Sequence, residues 1–282
     1  MANRGAELKN WVTHRHDWQS DEGEVIAEQP ITIYVNGVEY VTVMGTPLNQ
    51  DWLAVGFLLN EHVLDDVQEV KHLRVMSSGC CVDVWINKDV PEPVKTIITS
   101  GCGGGITYHD PQTGVDPFQS SLSVDPDQIF RAFKNLQPKD SLYARSRGVH
   151  AAGLLDPGRD ELLLVIEDVG RHNTIDKIRG ASALQDISTR EKVLICTGRI
   201  SSEMLRKTAL MGCPIVASRT SPTSLSVDMA RAWDMTLIGY ARHGKMRVYS
   251  SPFRLGYQGK EFKPDQDAFE HGSPQGRGEA ES

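Results

Sequence analysis

"KVLICTGRISSEMLRKTALMGCPIVAS", residues 192–218, decides the fold. It opens on an apolar run, passes through Thr197-Gly198-Arg199, takes helical spacing from Ser201 to about Met211, and closes on a second apolar run. Short strands that are apolar throughout, joined by a helix, belong to a sheet whose two faces are both covered. The same texture extends outward. "ELLLVIE" (161–167) and "DMTLIGY" (234–240) are further strands, and helical stretches fall near 171–184, 201–211 and 222–233. "MRVYSS" (246–251) adds one more strand, so everything after about residue 150 reads as α/β.

Several of these strands run into polar, glycine-containing turns: "EDVGRHNTIDK" (167–177), "TGRISSEM" (197–204), "SRTSPTS" (218–224) and "GYARHGK" (239–245). An open α/β sheet binds ligands outside the carboxyl ends of its strands. Ser201 or Ser202, and Thr220 or Ser221, are placed to cap the helices that follow, aiming backbone N–H groups at an anion. Arg171, Arg199, Arg219, Arg242 and Lys245 lie on or beside the turns. One such arginine would be an ordinary solvated side chain. Five gathered by topology predict an anion-binding cleft.

The earlier half reads differently. Residues 25–44 alternate apolar and polar around Asn36-Gly37, a hairpin signal. "LNQDWLAVGFLLNEHVL" (48–64) is helical, with Leu53, Phe57 and Leu58 on one face to pack on that hairpin. A strand pair follows near 70–76 and 81–86, and a helix over 125–136 opens with Asp125-Pro126. Residues 1–24 form a polar leader without the apolar centre of a secretory signal. Residues 258–282, rich in Gly, Pro and charge, are expected to be disordered.

Composition bounds the function. With 39% hydrophobic and 24% charged residues the chain is ordinary for a soluble protein, and no apolar run approaches the roughly 20 residues of a membrane span. Residues 1–140 carry 20 acidic and 10 basic side chains, whereas 195–260 carry 3 acidic and 10 basic. A basic segment within a chain of net charge −7 implies a local anion site rather than affinity for nucleic acid. The five cysteines contain no C-x-x-C and no zinc-type spacing, which fits a reducing, cytoplasmic location. Cys196 and Cys213, in apolar surroundings, read as buried thiols.

One cysteine differs. "TIITSGCGGGITYHD" (96–110) sets Cys102 among Gly101, Gly103, Gly104 and Gly105. A core has no use for such a stretch. It is either a loop with an incidental thiol or a thiol deliberately exposed.

The motifs "EDVGRHNTIDK", "TGRISSEMLRK" (197–207), "SPTSLSVDMA" (221–230) and "GYARHGKMRVY" (239–249) together resemble the formate dehydrogenase accessory protein FdhD family of sulfurtransferases. "EQPITIYVNGVEYVTVMGTP" (28–47), "LAVGFLLNEHV" (53–63), "TSGCGGG" (99–105) and "GVHAAGL" (148–154) follow the family's order, so the resemblance spans roughly 24–255. It implies an α/β fold with a three-layer cytidine-deaminase-like domain and a smaller α+β N-terminal part. The expected division is a leader 1–24, an N-terminal part 25–140 with a sulfur-carrier loop 99–108, a cofactor-binding domain 141–257 and a tail 258–282.

The resemblance also implies a cytoplasmic homodimer. It would take sulfur from a cysteine desulfurase and deliver it to Mo-bis(molybdopterin guanine dinucleotide) before that cofactor enters apo formate dehydrogenase. GDP-like nucleotides would be partial mimics of this cargo. Cys102 takes the position of the persulfide carrier. The cofactor-contacting segment falls on Tyr240, Ala241, Arg242, His243, Gly244 and Lys245, with Arg171, His172, Arg199 and Ser201 from the neighbouring turns. Glycine gives the carrier freedom to move, and neighbouring cations would favour its thiolate.

Many members carry C-x-x-C in this loop, and here the second position is Gly105. One thiol is enough to carry a persulfide, but a mechanism that needs an intraloop disulfide is excluded. A non-catalytic chaperone that binds the cofactor for dehydrogenase assembly therefore stays open as the alternative. A zinc nucleobase deaminase does not: "GCPIVAS" (212–218) reverses the required Pro-Cys order, and no Glu follows His150 at the required spacing. His150 and His172 have open roles.

Overall fold

The computed structural model describes residues 5–77, 79–88, 90, 97–98 and 115–259. Strands β1 (Ala6–Arg15) and β2 (Asp17–Ile26) pair as an antiparallel ribbon turning at His16. The segment expected to be a polar leader is thus regular structure from Ala6 onward. Its ten-residue strands bury almost nothing, and the ribbon is held at its base by the Arg145–Glu24 ion pair at 2.5 Å.

Strands β3 (Gln29–Val35) and β4 (Val38–Gly45) form the expected hairpin. Asn36 and Gly37 both take positive φ, as a two-residue turn between twisted strands requires. Helix α1 (Gln50–Asn60) follows, then β5 (Val70–Val75), β6 (Cys81–Ile86) and β7 (Ile97–Ile98), completing a five-stranded sheet ordered β5-β6-β3-β4-β7. Helix α2 (Pro126–Asn135) is capped by Asp125, whose carboxylate accepts from Asp127 N, and α3 (Leu142–Ser146) by Ser141.

The remaining elements are β8 (His150–Asp156), β9 (Glu161–Asp168), α4 (Arg171–Leu184), β10 (Val193–Cys196), α5 (Ser202–Leu210), β11 (Ile215–Ser218), α6 (Ser224–Ala232), β12 (Thr236–Arg242) and β13 (Lys245–Val248). They build a six-stranded sheet ordered β13-β12-β11-β10-β8-β9. β10, β11 and β12 are parallel, β8 is antiparallel to β10, and β9 is antiparallel to β8. The carboxyl ends of β9 to β12 therefore share one edge with the start of β8.

Successive residues of the central strands bury on opposite faces. Leu194, Val216 and Leu237 join the core under α4, α5 and α6, while Val193, Ile195, Ala217 and Ile238 join the core under α2. The sheet is a middle layer with helices on both sides. α2 was expected in the N-terminal part, yet Ile129, Ala132 and Phe133 pack on this sheet with Ala151 and Leu155. The large unit thus begins before residue 141, since α2 supplies its second cover.

The two parts meet where α1 crosses α4. α1 presents its apolar residues to the small sheet, yet Leu53–Asn60 are buried on every side because α4 covers the other face. The crossing is made at glycine. A Cβ on Gly56 would lie 1.7 Å from the carbonyl oxygen of Asp176, and one on Gly180 would lie 1.9 Å from that of Trp52. No helix of the described residues is long and apolar enough to cross a membrane.

Gly56→Ala would favour an exposed helix by about 1 kcal/mol. Here the added methyl meets backbone that cannot move without separating the helices, and the expected result is a loss of about 3 kcal/mol or more. Urea unfolding measures it, and an unchanged midpoint would contradict the close crossing.

Candidate functional site

At the carboxyl edge, β9 ends in Asp168, a fully buried carboxylate. Its Oδ1 accepts from Gly170 N (2.7 Å) and Asn173 Nδ2 (2.9 Å); its Oδ2 accepts from Lys177 Nζ (2.5 Å) and Thr46 N (3.2 Å). Lys177 is equally buried and also donates to the Thr46 carbonyl. Four donors satisfy the carboxylate, and they fix the start of α4 against the end of β4. The most specific motif therefore divides: Asp168, Asn173 and Lys177 weld the two parts, while Arg171 and His172 stand at the edge.

Gly170 is the N-cap of α4 and supplies no side-chain cap, so the first turn keeps backbone donors open. Arg171 is half-buried there, its Nε without a partner among the described residues. Burial lowers its pKa first, and the neighbouring Arg199 lowers it further. Gly198 lets these groups converge: a Cβ there would stand 2.9 Å from Arg171 Cβ and 3.3 Å from His150 Nδ1. His150 is also 3.5 Å from Thr197 Oγ1, and its pKa is lowered first by burial and then by Arg171. His150, at the first position of β8, joins the site for a topological reason: β8 runs antiparallel and starts where its neighbours end.

Ser201 caps α5, accepting from Met204 N at 3.3 Å, and its Oγ lies 3.3 Å from His172 Nε2. His172 Nε2 is also 3.5 Å from Glu203 Oε2. Burial, then Lys207 and Arg171, push its pKa down to about 3. Behind it Lys207 pairs with Asp176 Oδ2 (2.9 Å) and Glu203 Oε1 (3.3 Å), and Asp176 accepts from Asn60 Nδ2 of α1 (2.5 Å). A neutral imidazole thus sits over a buried cation.

The rim continues toward β12. Ile200 bridges Pro222, Ser218 Oγ donates to the Gly198 carbonyl (2.6 Å), and Tyr240 N donates to the Thr220 carbonyl (3.0 Å). α6 is capped by Thr223 rather than by Thr220 or Ser221, because the bridge at Pro222 keeps the chain extended until then. Tyr240 bulges out of β12 at positive φ, and the Arg247 guanidinium lies over its ring at 4.3 Å. Ala241 points into the core. Arg242, which ends β12, and Lys245, which begins β13, are exposed on either side of a two-residue turn, His243-Gly244, whose residues are also exposed and both at positive φ. Arg219 leaves the cluster: its guanidinium donates to Gln137 Oε1 and the Phe133 carbonyl and stacks on Phe133, so it anchors α2. Cys102 and the loop 99–108 lie outside the described residues, as does the tail from residue 260. Cys196 and Cys213 are buried, and burial pushes each thiol up to about 12.

The FdhD/NarQ family model matches residues 26–256. The chain belongs to the FdhD/NarQ family. It is 34% identical over 255 residues to the sulfur carrier protein FdhD of Bacillus subtilis (strain 168), covering 86% of this chain and 96% of that one. With the sulfur carrier protein FdhD of Listeria monocytogenes serotype 4b it shares 35% over 246 residues, 84% of this chain and 94% of the relative. The crystal structure of a putative formate dehydrogenase accessory protein from Desulfotalea psychrophila superposes with a TM-score of 0.75 at 25% identity, covering 89% of this chain and 99% of that one. Among the described residues no group of His, Cys, Asp or Glu could hold a metal ion.

Two predictions follow from the geometry. Lys177→Met leaves the Asp168 carboxylate buried without its cation and is expected to cost about 3–5 kcal/mol in denaturant unfolding. His172 binds a proton in the unfolded chain below about pH 6.5 but not in the folded one until about pH 3. The unfolded state holds more protons in that window, so stability is complete above pH 6.5 and falls as pH drops, by up to about 1.4 kcal/mol per unit. His172→Gln should flatten that slope between pH 6.5 and 4.5; an unaltered slope would show an imidazole that titrates normally.

Proposed function

We propose that this chain is a sulfurtransferase that carries sulfur for formate dehydrogenase assembly as a persulfide on Cys102. In loading, the Cys102 thiolate attacks the terminal sulfur of a desulfurase persulfide. The donor's S–S bond breaks, the donor leaves as a thiolate, and Cys102 keeps the sulfur. The cargo that receives it is Mo-bis(molybdopterin guanine dinucleotide), its phosphates facing the cationic edge and one guanine nucleotide end beside residues 240–245. The sulfurated cofactor is then handed to apo formate dehydrogenase, and the chain works as a homodimer. The three-layer arrangement is read as cytidine-deaminase-like.

The observation that carries this reading is the direction of β7. It runs parallel to β4, with Ile98 level with Val43, and β4 ends at the Thr46 backbone held by Asp168 two residues before the N-cap of α4. β7 thus runs toward the cationic edge, and Cys102, four residues past Ile98, can be no more than about 14 Å from Ile98 by chain length, which supports the reading. The cations serve transfer and a purely chaperoning role equally; retention of Cys102 in a glycine run favours transfer.

After incubation with a desulfurase and cysteine, mass spectrometry is expected to find one added sulfur on Cys102. Cys102→Ala should fold normally, accept no sulfur and fail to mature the dehydrogenase; full maturation by that variant would leave only the chaperone reading. Arg242→Ala with Lys245→Ala should weaken GDP binding by about a hundredfold, the lower end for two charge-assisted bonds because both side chains are exposed. This double variant should still load sulfur, and unchanged GDP affinity by calorimetry would move the nucleotide elsewhere.

A further inference from the structure

The far end of α4 holds a cleft of about 440 Å³ between the small and large parts of the molecule. That volume is in the range of small-molecule sites, which favour such junctions. Leu59, Val67, Ala183, Leu210 and Met211 make an apolar wall. Two polar groups interrupt it. Ser182, only 3% exposed, has an Oγ with no hydrogen-bond partner among the described residues. Arg179 spends one donor, Nη1, on Asn60 Oδ1 at 2.8 Å, and its remaining donors have no partner among the described residues. Arg179 and Ser182 are three apart on the helix, hence on one face.

The charges around the cleft define what fits. Asp65 is committed to Lys88 at 2.8 Å, and Asp66 caps the following turn through Gln68 N at 2.8 Å. Lys88 is shared with Glu69 at 2.8 Å, and Asp66 keeps its charge, so Arg179 and Arg190 stand against Asp66 and Asp186. Burial holds Arg179 down at about 10, still cationic at neutral pH. The lining carries no surplus of positive charge, so any preference for a single negative group comes from the Arg179 guanidinium itself. A second negative charge is disfavoured, because α4 and α5 both end here and present their negative carbonyl ends.

We propose that this cleft is a binding site for a small monocarboxylate with an apolar body, its carboxylate held by the Arg179 guanidinium and the Ser182 hydroxyl. An arginine fork matches a carboxylate, and the hydroxyl gains the partner that the fold denies it. The site is independent of sulfur transfer and lies at the opposite end of α4 from Arg171.

Titration of the full chain with 4-methylpentanoate and 3-phenylpropanoate, followed by backbone amide NMR and calorimetry, tests the assignment. Saturable shifts around residues 179–187 are expected with at least one probe. Ser182→Ala should keep or raise the melting temperature, since it removes an unsatisfied hydroxyl, and should weaken that probe about tenfold. Arg179→Gln should abolish binding; if it fails to fold, Ser182→Ala decides alone. No saturable response to either probe, equal binding by Ser182→Ala, or tighter binding of inorganic phosphate would each overturn the proposal.

Discussion

The carboxylate of Asp168 is the point on which the arrangement rests. It belongs to a strand of the large sheet, yet one of its oxygens is bound by Thr46 N, from the end of the small sheet's hairpin, and by Lys177 of α4. An unpaired carboxylate at zero exposure would cost several kcal/mol, so these partners cannot be exchanged for others without loss. The same carboxylate receives Gly170 N, taking over part of the capping that a glycine cannot supply. With that end fixed from behind, the side chains just after it, Arg171 and His172, have only the sheet edge to occupy.

A buried ion pair is a poor source of net stability, because desolvation offsets most of its attraction. What Asp168–Lys177 and Asp176–Lys207 contribute is a single allowed alignment. Asp176 reaches Asn60 of α1, whereas Asp168 reaches Thr46, so both α1 and the strand before it are registered against α4 by charge. Gly56 and Gly180 then let the backbones close to a distance that any side chain would prevent. Dispersion and burial supply the energy, and the buried charges choose among the ways of gaining it.

The elements legible in the sequence were those with a strong apolar signature: the strands after residue 160, the Asn36-Gly37 hairpin and the Asp125-Pro126 helix start. β8 escaped notice because "HAAGLLD" is built from small residues, which serve a crowded middle strand rather than signal one; a Cβ on Gly153 would lie 2.9 Å from Leu136. The β1–β2 ribbon has no buried face and so no period to detect. At the site, the turns and their cations were legible from topology, but Arg219 was not separable from Arg199, since only the packed position of Phe133 decides which one turns inward. Asp168 and Lys177 were hidden for a related reason. Nine apart in sequence, they look like solvated charges until α4 is known to be buried on all sides. A helix with glycine at its centre and apolar residues on more than one face was the available clue.

The cationic edge is electrostatically costly as it stands. Arg199 lowers the preference of Arg171 for charge, Arg171 Nε lacks a partner among the described residues, and both histidines are shifted toward the neutral form. Neutral imidazoles matter here. A protonated His172 would add to the repulsion, whereas the neutral ring bonds to Ser201 and adds no further charge beside the arginines. Local strain of this kind persists when the surroundings over-determine it, which the Asp168 weld does. An anion entering between the two guanidiniums would remove repulsion and supply acceptors at once, so part of its binding energy would come from relief of a tension built into the folded chain. The stability that the fold gives up at this edge would then be returned by such an anion, by an amount set by its concentration relative to its dissociation constant.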